Sequence, residues 1–193
     1  MKKLILASGS PRRKQLLKQI GLDFDIIVSN VDEKLNPRLK PLTQVEQLSL
    51  QKAQAVAALP QAKGAVVLGS DSMVYVDGEI MGKPKDEKDA KRMLRKLSGR
   101  QHSIVTGFTL IDTETKKTVT KSVEVKVWFR KIYPQEIRAF LAKDKPFDKA
   151  GAYGIQEVAA IFVEKIEGDY PGAVGLPLFL VARELPKFGI PVL

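Results

Sequence analysis

The pattern of apolar and polar positions predicts buried strands alternating with amphipathic helices. Leu4–Ala7 form a short, uninterrupted apolar run, which is typical of a strand buried on both faces. A tight turn follows, in which Ser10 suits an N-cap and Pro11 suits the first position of a helix. Leu16, Leu17 and Ile20 would form the inward stripe of that helix. The chain therefore opens with a strand, a turn and a helix.

The same reasoning places further elements along the chain and predicts a single α/β domain over residues 1–193. No internal repeat, low-complexity tract or linker composition divides it. The predicted helices are Thr43–Leu59, opened by a capping box from Thr43 to Glu46, Glu87–Leu97, capped by Asp86, Pro134–Ala142 and Leu176–Leu185. The predicted strands are Phe24–Val28, Ala65–Leu68 and Met73–Val76 on either side of a polar interruption, an antiparallel hairpin of Ser103–Ile111 and Thr118–Phe129, and Ala159–Lys165. A hairpin turn is predicted at Asp77–Gly78 and a loop at Gly168–Gly175.

Composition excludes several kinds of chemistry. The chain of 193 residues has no cysteine and a single histidine, His102, so disulfides, thiol catalysis and multi-histidine metal sites are ruled out. A Ser-His hydrolase would have to depend on His102 alone. No apolar segment is long enough to span a bilayer, and the first helix becomes charged too early for a signal peptide, so we expect a cytoplasmic protein with no membrane partner.

The formal net charge is +10, from 32 Lys and Arg against 22 Asp and Glu, so the protein will attract anions. Nucleotides, nucleic acids and acidic surfaces all fit this charge. Part of the excess lies in lysine-rich and arginine-rich helices such as Lys88–Lys96, which are more often solvated faces.

The turn after the first strand carries the features of a phosphate site. Backbone N–H groups at a helix N-terminus attract anions, and the hydroxyls of Ser8 and Ser10 lie in the same turn. Arg12 and Arg13 follow in the first helical turn, where cations oppose the helix dipole unless an anion is present. We therefore expect a polyphosphate here. A capped helix with two solvated arginines is the alternative interpretation.

Asp71 interrupts a hydrophobic run, between Ala65–Leu68 and Met73–Val76. A buried carboxylate without a partner is costly, so Asp71 is expected to have a cation beside it. A turn aspartate bonded to its own backbone is the alternative. Lys52 lies beside the inward face of the preceding helix and could point along it into a cleft, and the acidic pair Asp32-Glu33 lies in a loop ending near Pro37 and Pro41, where α/β folds place chemistry.

A glycine-rich loop near the end of the chain could recognise a flat ring. It reads Gly151-Ala-Tyr-Gly-Ile-Gln156. Its glycines allow close approach of the backbone to a ring, and Gln156 could hydrogen-bond the edge of that ring. An ordinary structural loop is equally consistent with this pattern.

Six motifs, taken together, resemble the Maf family over nearly the whole chain. They occur in the order and approximate spacing of that family: Ser8-Gly-Ser-Pro-Arg-Arg13, Gly69-Ser-Asp-Ser72, Gly82-Lys-Pro84, Leu97-Ser-Gly99, Asp148-Lys-Ala-Gly-Ala-Tyr-Gly-Ile-Gln156 and Val174-Gly-Leu-Pro177.

The resemblance implies an α/β fold with a long mixed twisted sheet flanked by helices, and two lobes around a central cleft, similar to inosine triphosphatase. It implies a house-cleaning nucleoside triphosphate pyrophosphatase that cleaves between the α and β phosphates with a divalent metal, Mg²⁺ or Mn²⁺. The Ala152–Gln156 sequence is similar to that of the subgroup preferring dTTP and UTP, and the family was first linked to inhibition of septum formation.

Roles for individual residues follow from this resemblance. Asp71 would be the proton acceptor, and Arg12, Ser72 and Gln156 would set specificity; Ser72 stands where the family usually has threonine. We further expect Ser8, Ser10, Arg12, Arg13, Lys52 and Lys83 to bind phosphates, and Glu33 and Asp71 to hold the metal. Two carboxylates beside one metal can exchange roles, so Glu33 remains the alternative base.

Two other classes of function remain open. A nucleic-acid-binding module is supported by the net charge, but the chain lacks the interleaved aromatic and basic residues of common RNA readers. A nucleotide sensor that regulates cell division without catalysis would share the same binding residues. The sequence does not fix the oligomeric state, and a homodimer is compatible with it.

Overall fold

A computed structural model describes residues 2–33, 36 and 38–193. Pro37, near the expected end of the acidic loop, lies outside the described residues. The strands are β1 Lys3–Leu6, β2 Asp25–Ile26, β3 Ala65–Val76, β4 Glu79–Met81, β5 Gln101–Asp112, β6 Thr118–Phe129 and β7 Val163–Glu167. The α-helices are α1 Pro11–Gln19, α2 Pro41–Ala57, α3 Glu87–Leu97, α4 Pro134–Asp144, α5 Tyr170–Val174 and α6 Leu178–Glu184, and short 3₁₀ helices occupy Pro60–Ala62, Ala150–Ala152, Val158–Phe162 and Leu185–Phe188.

The described strands form one mixed sheet in the order β2-β1-β3-β5-β6-β7, with β4 paired to β3. Strand β1 is parallel to both β2 and β3. Strands β4 and β7 are antiparallel to β3 and β6 respectively. The expected fold class, a mixed α/β sheet flanked by helices, is therefore confirmed.

The chain divides into two compact units. The first unit comprises residues up to Asp71, Thr106–Val123 and Gly175–Leu193, and the second unit comprises Ser72–Val105 and Glu124–Val174. Strands β3, β5 and β6 each contribute residues to both units. The cleft expected between two lobes stays a prediction.

In the first unit, helix α2 packs closely against the sheet because two strand residues lack side chains. A Cβ atom on Gly69 of β3 would lie 2.4 Å from the Ser49 carbonyl oxygen and 2.7 Å from the Ala53 nitrogen. A Cβ atom on Gly107 of β5 would lie 2.6 Å from the Val45 carbonyl oxygen. Real Cβ atoms do not approach so closely, so only glycine permits this packing of helix on sheet.

The second unit contains the β3–β4 hairpin and an aromatic core. Asp77 and Gly78, with φ of 48° and 81°, form the predicted hairpin turn. Asp86 caps α3 as predicted, since its Oδ1 accepts a hydrogen bond of 2.7 Å from the Asp89 N–H. The rings of the aromatic core belong to His102, Phe129, Phe140, Tyr153 and Phe162.

The start of α2 differs from the prediction. The helix begins at Pro41, not Thr43, with Lys40 as its N-cap, and no side chain caps it. The expected capping box is therefore wrong, because Pro41 already supplies a favoured first residue. The Glu46 carboxylate instead accepts a hydrogen bond of 2.6 Å from the Ser122 hydroxyl.

Other boundaries also differ. Strand β2 covers only Asp25–Ile26, whereas Ala159–Phe162 belongs to a 3₁₀ helix that precedes β7. The expected loop before Gly175 contains the short helix α5, and the last α-helix ends at Glu184. The two strands predicted around Asp71 are a single strand, β3, of 12 residues.

Candidate active site

The turn between β1 and α1 is organised by the Ser8 hydroxyl. Ser8 Oγ accepts hydrogen bonds from the Ser10 N–H at 3.2 Å and from Arg13 Nη1 at 3.1 Å. Ser10 occupies the N-cap position as predicted, but its side chain makes no capping bond. Pro11 begins the helix, so the expected strand, turn and helix are confirmed.

Arg13 is buried and connects this turn to a distant loop. Its Nε donates a hydrogen bond of 2.9 Å to the Gly175 carbonyl oxygen. Burial lowers the pKa of the guanidinium, and the nearby Asp71 carboxylate acts in the opposite direction. At least two of its five N–H donors bind atoms of the protein itself. Arg12, one residue earlier, is half-buried.

A lysine ammonium bridges two carboxylates at the centre of the first unit. Lys52 Nζ lies 2.5 Å from Asp71 Oδ1 and 2.8 Å from Glu33 Oε1. The side chains of Lys52 and Asp71 are each 9% exposed, whereas that of Glu33 is 46% exposed. The prediction that Asp71 has a cationic partner is confirmed, because the ammonium offsets the cost of burying the carboxylate.

The pleat of β3 explains why Asp71 meets Lys52. Residues two apart on a strand point to the same face, so Asp71 projects on the same side as Gly69, toward α2. On α2, Lys52 shares a helical face with Ser49 and Ala53, the residues that contact Gly69. The close approach at Gly69 thus places the ammonium beside the carboxylate. Asp71 lies within a continuous strand, so its expected position in an interruption between two strands, or in a turn, is wrong.

Ser70 was missed by sequence reasoning. It is fully buried, and its hydroxyl lies 2.9 Å from the Gly107 carbonyl oxygen and 3.1 Å from that of Gly175, both as acceptors. The Gly175 carbonyl thus accepts hydrogen bonds from both Ser70 and Arg13. This carbonyl links the β1–α1 turn to the strand that carries Asp71. The only signal in the sequence was the position of Ser70 and Gly175 within two of the family motifs.

The remaining expected site residues belong to the second unit. Ser72 is half-buried on β3, and Lys83 is exposed in the loop after β4. Gln156 lies in a turn closed by a hydrogen bond of 3.1 Å from the Glu157 N–H to the Gly154 carbonyl. The loop of Lys83 meets the glycine-rich loop, since the Gly151 N–H donates a hydrogen bond of 3.0 Å to the Gly82 carbonyl. Convergence of these residues with Asp71 on one substrate stays a prediction.

Gln156 carries a polar atom without a protein partner. Its Oε1 is buried and accepts no hydrogen bond from the described residues. Buried amide oxygens are normally paired, and an unpaired one is costly. Gln156 therefore carries an acceptor whose hydrogen bond the described residues do not supply.

His102 is a core residue and does not pair with a serine. It is 2% exposed, and its Nε2 shares a hydrogen bond of 2.6 Å with the Tyr153 hydroxyl. Burial lowers the pKa of His102 to about 4, so the ring is neutral at pH 7. The geometry gives no support to a Ser-His hydrolase.

The carboxylate oxygens of Asp71 and Glu33, which both contact Lys52, are ligands that suit a hard divalent cation. Mg²⁺ is typically bound by one or two carboxylates, with water and phosphate oxygens completing the shell. Asp71 and Glu33 supply two such carboxylates around one positive charge. No group of three or more His, Asp or Glu side chains within residues 2–33, 36 and 38–193 could hold a metal ion by itself, so water or substrate oxygens would complete the coordination.

The fold and site define a class of protein: an α/β protein with an arginine-bearing strand–helix turn and two carboxylates that share a lysine ammonium. Comparison with known proteins narrows this class. The profile of the Maf-like protein family matches residues 3–188. The chain belongs to this family.

Several relatives align over almost their whole length and carry the name dTTP/UTP pyrophosphatase. The protein from Vibrio cholerae is 49% identical over 188 residues, which are 96% of this chain and 98% of the relative. That from Citrifermentans bemidjiense is 48% identical over 186 residues, covering 96% and 95%. That from Bacillus cereus strain ATCC 10987 is 46% identical over 192 residues, covering 100% and 93%.

A solved structure was also matched, at lower sequence identity. A nucleoside-triphosphatase / dITP/XTP pyrophosphatase from Mycobacterium abscessus superposes with a TM-score of 0.43 and 16% sequence identity, covering 67% of this chain and 75% of that one. In the described part of the chain, no helix has the length and apolar character needed to cross a bilayer.

Proposed function

We propose that this protein is a nucleoside triphosphate pyrophosphatase that hydrolyses dTTP and UTP to the monophosphate and pyrophosphate. The observation that supports this most strongly is the Lys52 ammonium held between Asp71 and Glu33. Hydrolysis of a phosphoanhydride requires positioning, charge neutralisation and an oriented water, and a carboxylate–lysine cluster beside an anion-binding turn suits all three. The names of the full-length relatives agree with this reaction.

Asp71 is proposed as the base that accepts a proton from the attacking water. It is buried, and one of its carboxylate oxygens is fixed by Lys52, so its orientation is set before the substrate binds. Glu33 is more exposed and lies in the loop after β2, which suits a metal ligand that adjusts on binding. In the alternative assignment, Glu33 is the base and Asp71 is the metal ligand.

The phosphates are proposed to bind at the β1–α1 turn. Ser8, Ser10 and Arg12 supply donors there, and Lys52 and Lys83 supply further positive charge. Arg13 has two donors bound to Ser8 and to Gly175. It therefore shapes the turn as well as adding charge to it.

A divalent cation, Mg²⁺ or Mn²⁺, is proposed to bind at Glu33 and Asp71. When bound, it would neutralise charge on the phosphate oxygens and the leaving pyrophosphate. Both carboxylates contact the same Lys52 ammonium, so they lie close enough together to ligate one cation in its place.

The base is proposed to be read by Gln156 and Ser72. Uracil and thymine present an N3–H donor, whereas N3 of cytosine is an acceptor. The unpaired Gln156 Oε1 can accept from the former and would repel the latter. This accounts for a preference for UTP and dTTP over CTP, including modified uracil nucleotides in a house-cleaning role. The cytoplasmic location, a homodimer and a link to septum formation stay predictions.

A substrate panel tests the proposal. We expect pyrophosphate release from UTP and dTTP with kcat/KM about a hundredfold above that for CTP, because a site built to pair with a donor rejects the analogue that lacks it. EDTA should abolish turnover, and Mg²⁺ or Mn²⁺ should restore it. Nucleotide binding without pyrophosphate release would favour a sensor, and salt-sensitive binding of DNA or RNA without turnover would favour a nucleic-acid-binding regulator.

A further inference from the structure

The loop that carries Gln156 begins with two consecutive residues in the left-handed region. Gly151 has φ of 68° and Ala152 has φ of 61°. For alanine this conformation costs about 1 kcal/mol. A Cβ atom on Gly151 would also lie 2.9 Å from Val74 Cγ2. Strain of this kind persists only where surrounding contacts fix the backbone, so the loop must be held at defined points.

The first such point is Tyr153. Its side chain is 5% exposed, and its hydroxyl lies 2.6 Å from His102 Nε2. Its ring also packs edge-on against Phe129, with centroids 4.8 Å apart, and against His102, at 5.5 Å. The hydrogen bond to His102 therefore fixes the hydroxyl end of the Tyr153 ring, and Phe129 and His102 pack against the ring itself.

The second point is Glu157. Its Oε2 lies 3.0 Å from Lys149 Nζ, and this ammonium also lies 3.0 Å from Asp148 Oδ1. The Lys149 side chain is only 9% exposed. Because the Lys149 ammonium is buried, moving away the Glu157 carboxylate, which is itself 31% exposed, would remove part of its compensating charge, so the ion pair favours one arrangement.

Gln156 lies between these two points. The turn from Gly154 to Glu157 is closed by a backbone hydrogen bond of 3.1 Å, and Ile155 within it is 4% exposed. The backbone of Gln156 is therefore fixed on both sides. Its Oε1 nevertheless remains buried with no partner among the described residues, although rotation to find a partner would lower the free energy of the free protein.

We propose that His102, acting through Tyr153, and Lys149, acting through Glu157, are positioning residues that keep the Gln156 acceptor unpaired until a base with an N3–H donor binds. This inference rests on the proposed function and adds the source of its base selectivity. Preorganisation of this kind lowers the cost of ordering the loop when the substrate binds. Loss of an anchor should therefore weaken recognition of uracil more than it slows hydrolysis.

The inference is tested by removing the Tyr153 hydroxyl. Tyr153→Phe keeps the ring in the aromatic core but loses the bond to His102. We expect the ratio of kcat/KM for UTP to that for CTP to fall about tenfold, mainly through a higher KM for UTP, with kcat at saturating UTP within about twofold of wild type. His102→Gln, which keeps a hydrogen-bonding group, should retain more of the selectivity than His102→Leu.

Two controls separate positioning from a general loss of stability. Phe140→Leu removes a ring from the same aromatic core, where Phe140 contacts Phe162; it should lower the melting temperature without changing the UTP:CTP ratio. In a Gln156→Ala background, Tyr153→Phe should produce no further change in that ratio, because both substitutions act on the same interaction.

These experiments distinguish failure of the inference from failure of the proposed function. An unchanged ratio in Tyr153→Phe, an equal change in Phe140→Leu, or an additive effect in the Gln156→Ala background would each overturn the inference while leaving the proposed function intact. Failure of the wild-type protein to release pyrophosphate from UTP would overturn the proposed function, and the inference with it.

Discussion

Replacing Asp71 with asparagine is expected to lower kcat for UTP by about a thousandfold, the loss typical of removing a well-placed general base. Asparagine has nearly the same shape, so the packing of β3 against α2 should persist. Lys52 would keep its contact with Glu33 at 2.8 Å. The protein should therefore stay folded, and a coupled pyrophosphate assay with a thermal melt would measure both effects.

Asp112 provides a matched control for this substitution. It is also a buried aspartate of the first unit, 3% exposed, and it pairs with a lysine, Lys2, at 2.6 Å. Asp112→Asn should reduce stability but leave kcat within about twofold of wild type. Near-normal turnover in Asp71→Asn, or an equal loss in Asp112→Asn, would show that the base is wrongly assigned. Glu33→Gln then distinguishes the two carboxylates, since a lost metal ligand is compensated by high metal concentration and a lost base is not.

The second large effect is expected from Gly69→Ala. The new methyl group would lie 2.4 Å from the Ser49 carbonyl oxygen and 2.9 Å from Ala53 Cβ, so α2 or β3 must shift. Overpacking of a buried contact should lower the free energy of unfolding by about 3 kcal/mol, measured by urea denaturation. The shift also moves Lys52 away from Asp71, so the folded fraction should lose most of its activity.

Gly82→Ala is the control for stability. Among the residues that the structure describes, none beyond the chain neighbours of Gly82 has an atom within 4 Å of a Cβ built on it, and its backbone is not in the left-handed region. Its free energy of unfolding should change by less than about 0.5 kcal/mol. A Gly69→Ala protein with wild-type stability would mean that α2 does not rest on the sheet as described.

Elements that are determined by residues close together in the chain could be predicted from the sequence. The Asp86 cap, the Asp77–Gly78 turn and the strand–turn–helix at the N-terminus each depend on residues within a few positions of one another. The bounds predicted for β5 and β6 are also close to those observed, because a polar tip separates two long segments that run apolar or alternate apolar with polar residues. In each case the sequence neighbours are also the structural neighbours.

The polar part of β3 could not be predicted in the same way. Gly69, Ser70 and Asp71 look like an interruption, yet each is accommodated by a partner far away in the chain. Ser70 bonds carbonyls 37 and 105 residues away, and Asp71 pairs with a lysine 19 residues away. The cost of burying Asp71 indicated that a cation was needed, but only the packing of α2 shows that it is Lys52.

For His102, composition suggested a possible catalytic role that the structure does not support. As the single histidine of the chain it was the only residue on which a Ser-His mechanism could depend. In the structure it supports an aromatic core and bonds Tyr153. Composition alone cannot separate these roles, because a buried neutral histidine and a catalytic one are the same residue type.

The most direct test of the central claim is identification of the products of UTP hydrolysis by ³¹P NMR, with wild type and Asp71→Asn compared at equal concentration. We predict equimolar UMP and pyrophosphate from the wild-type protein and almost none from the variant. Accumulation of UDP and inorganic phosphate, or unchanged product formation by Asp71→Asn, would contradict the assignment of the Lys52, Asp71 and Glu33 cluster as the centre that cleaves between the α and β phosphates.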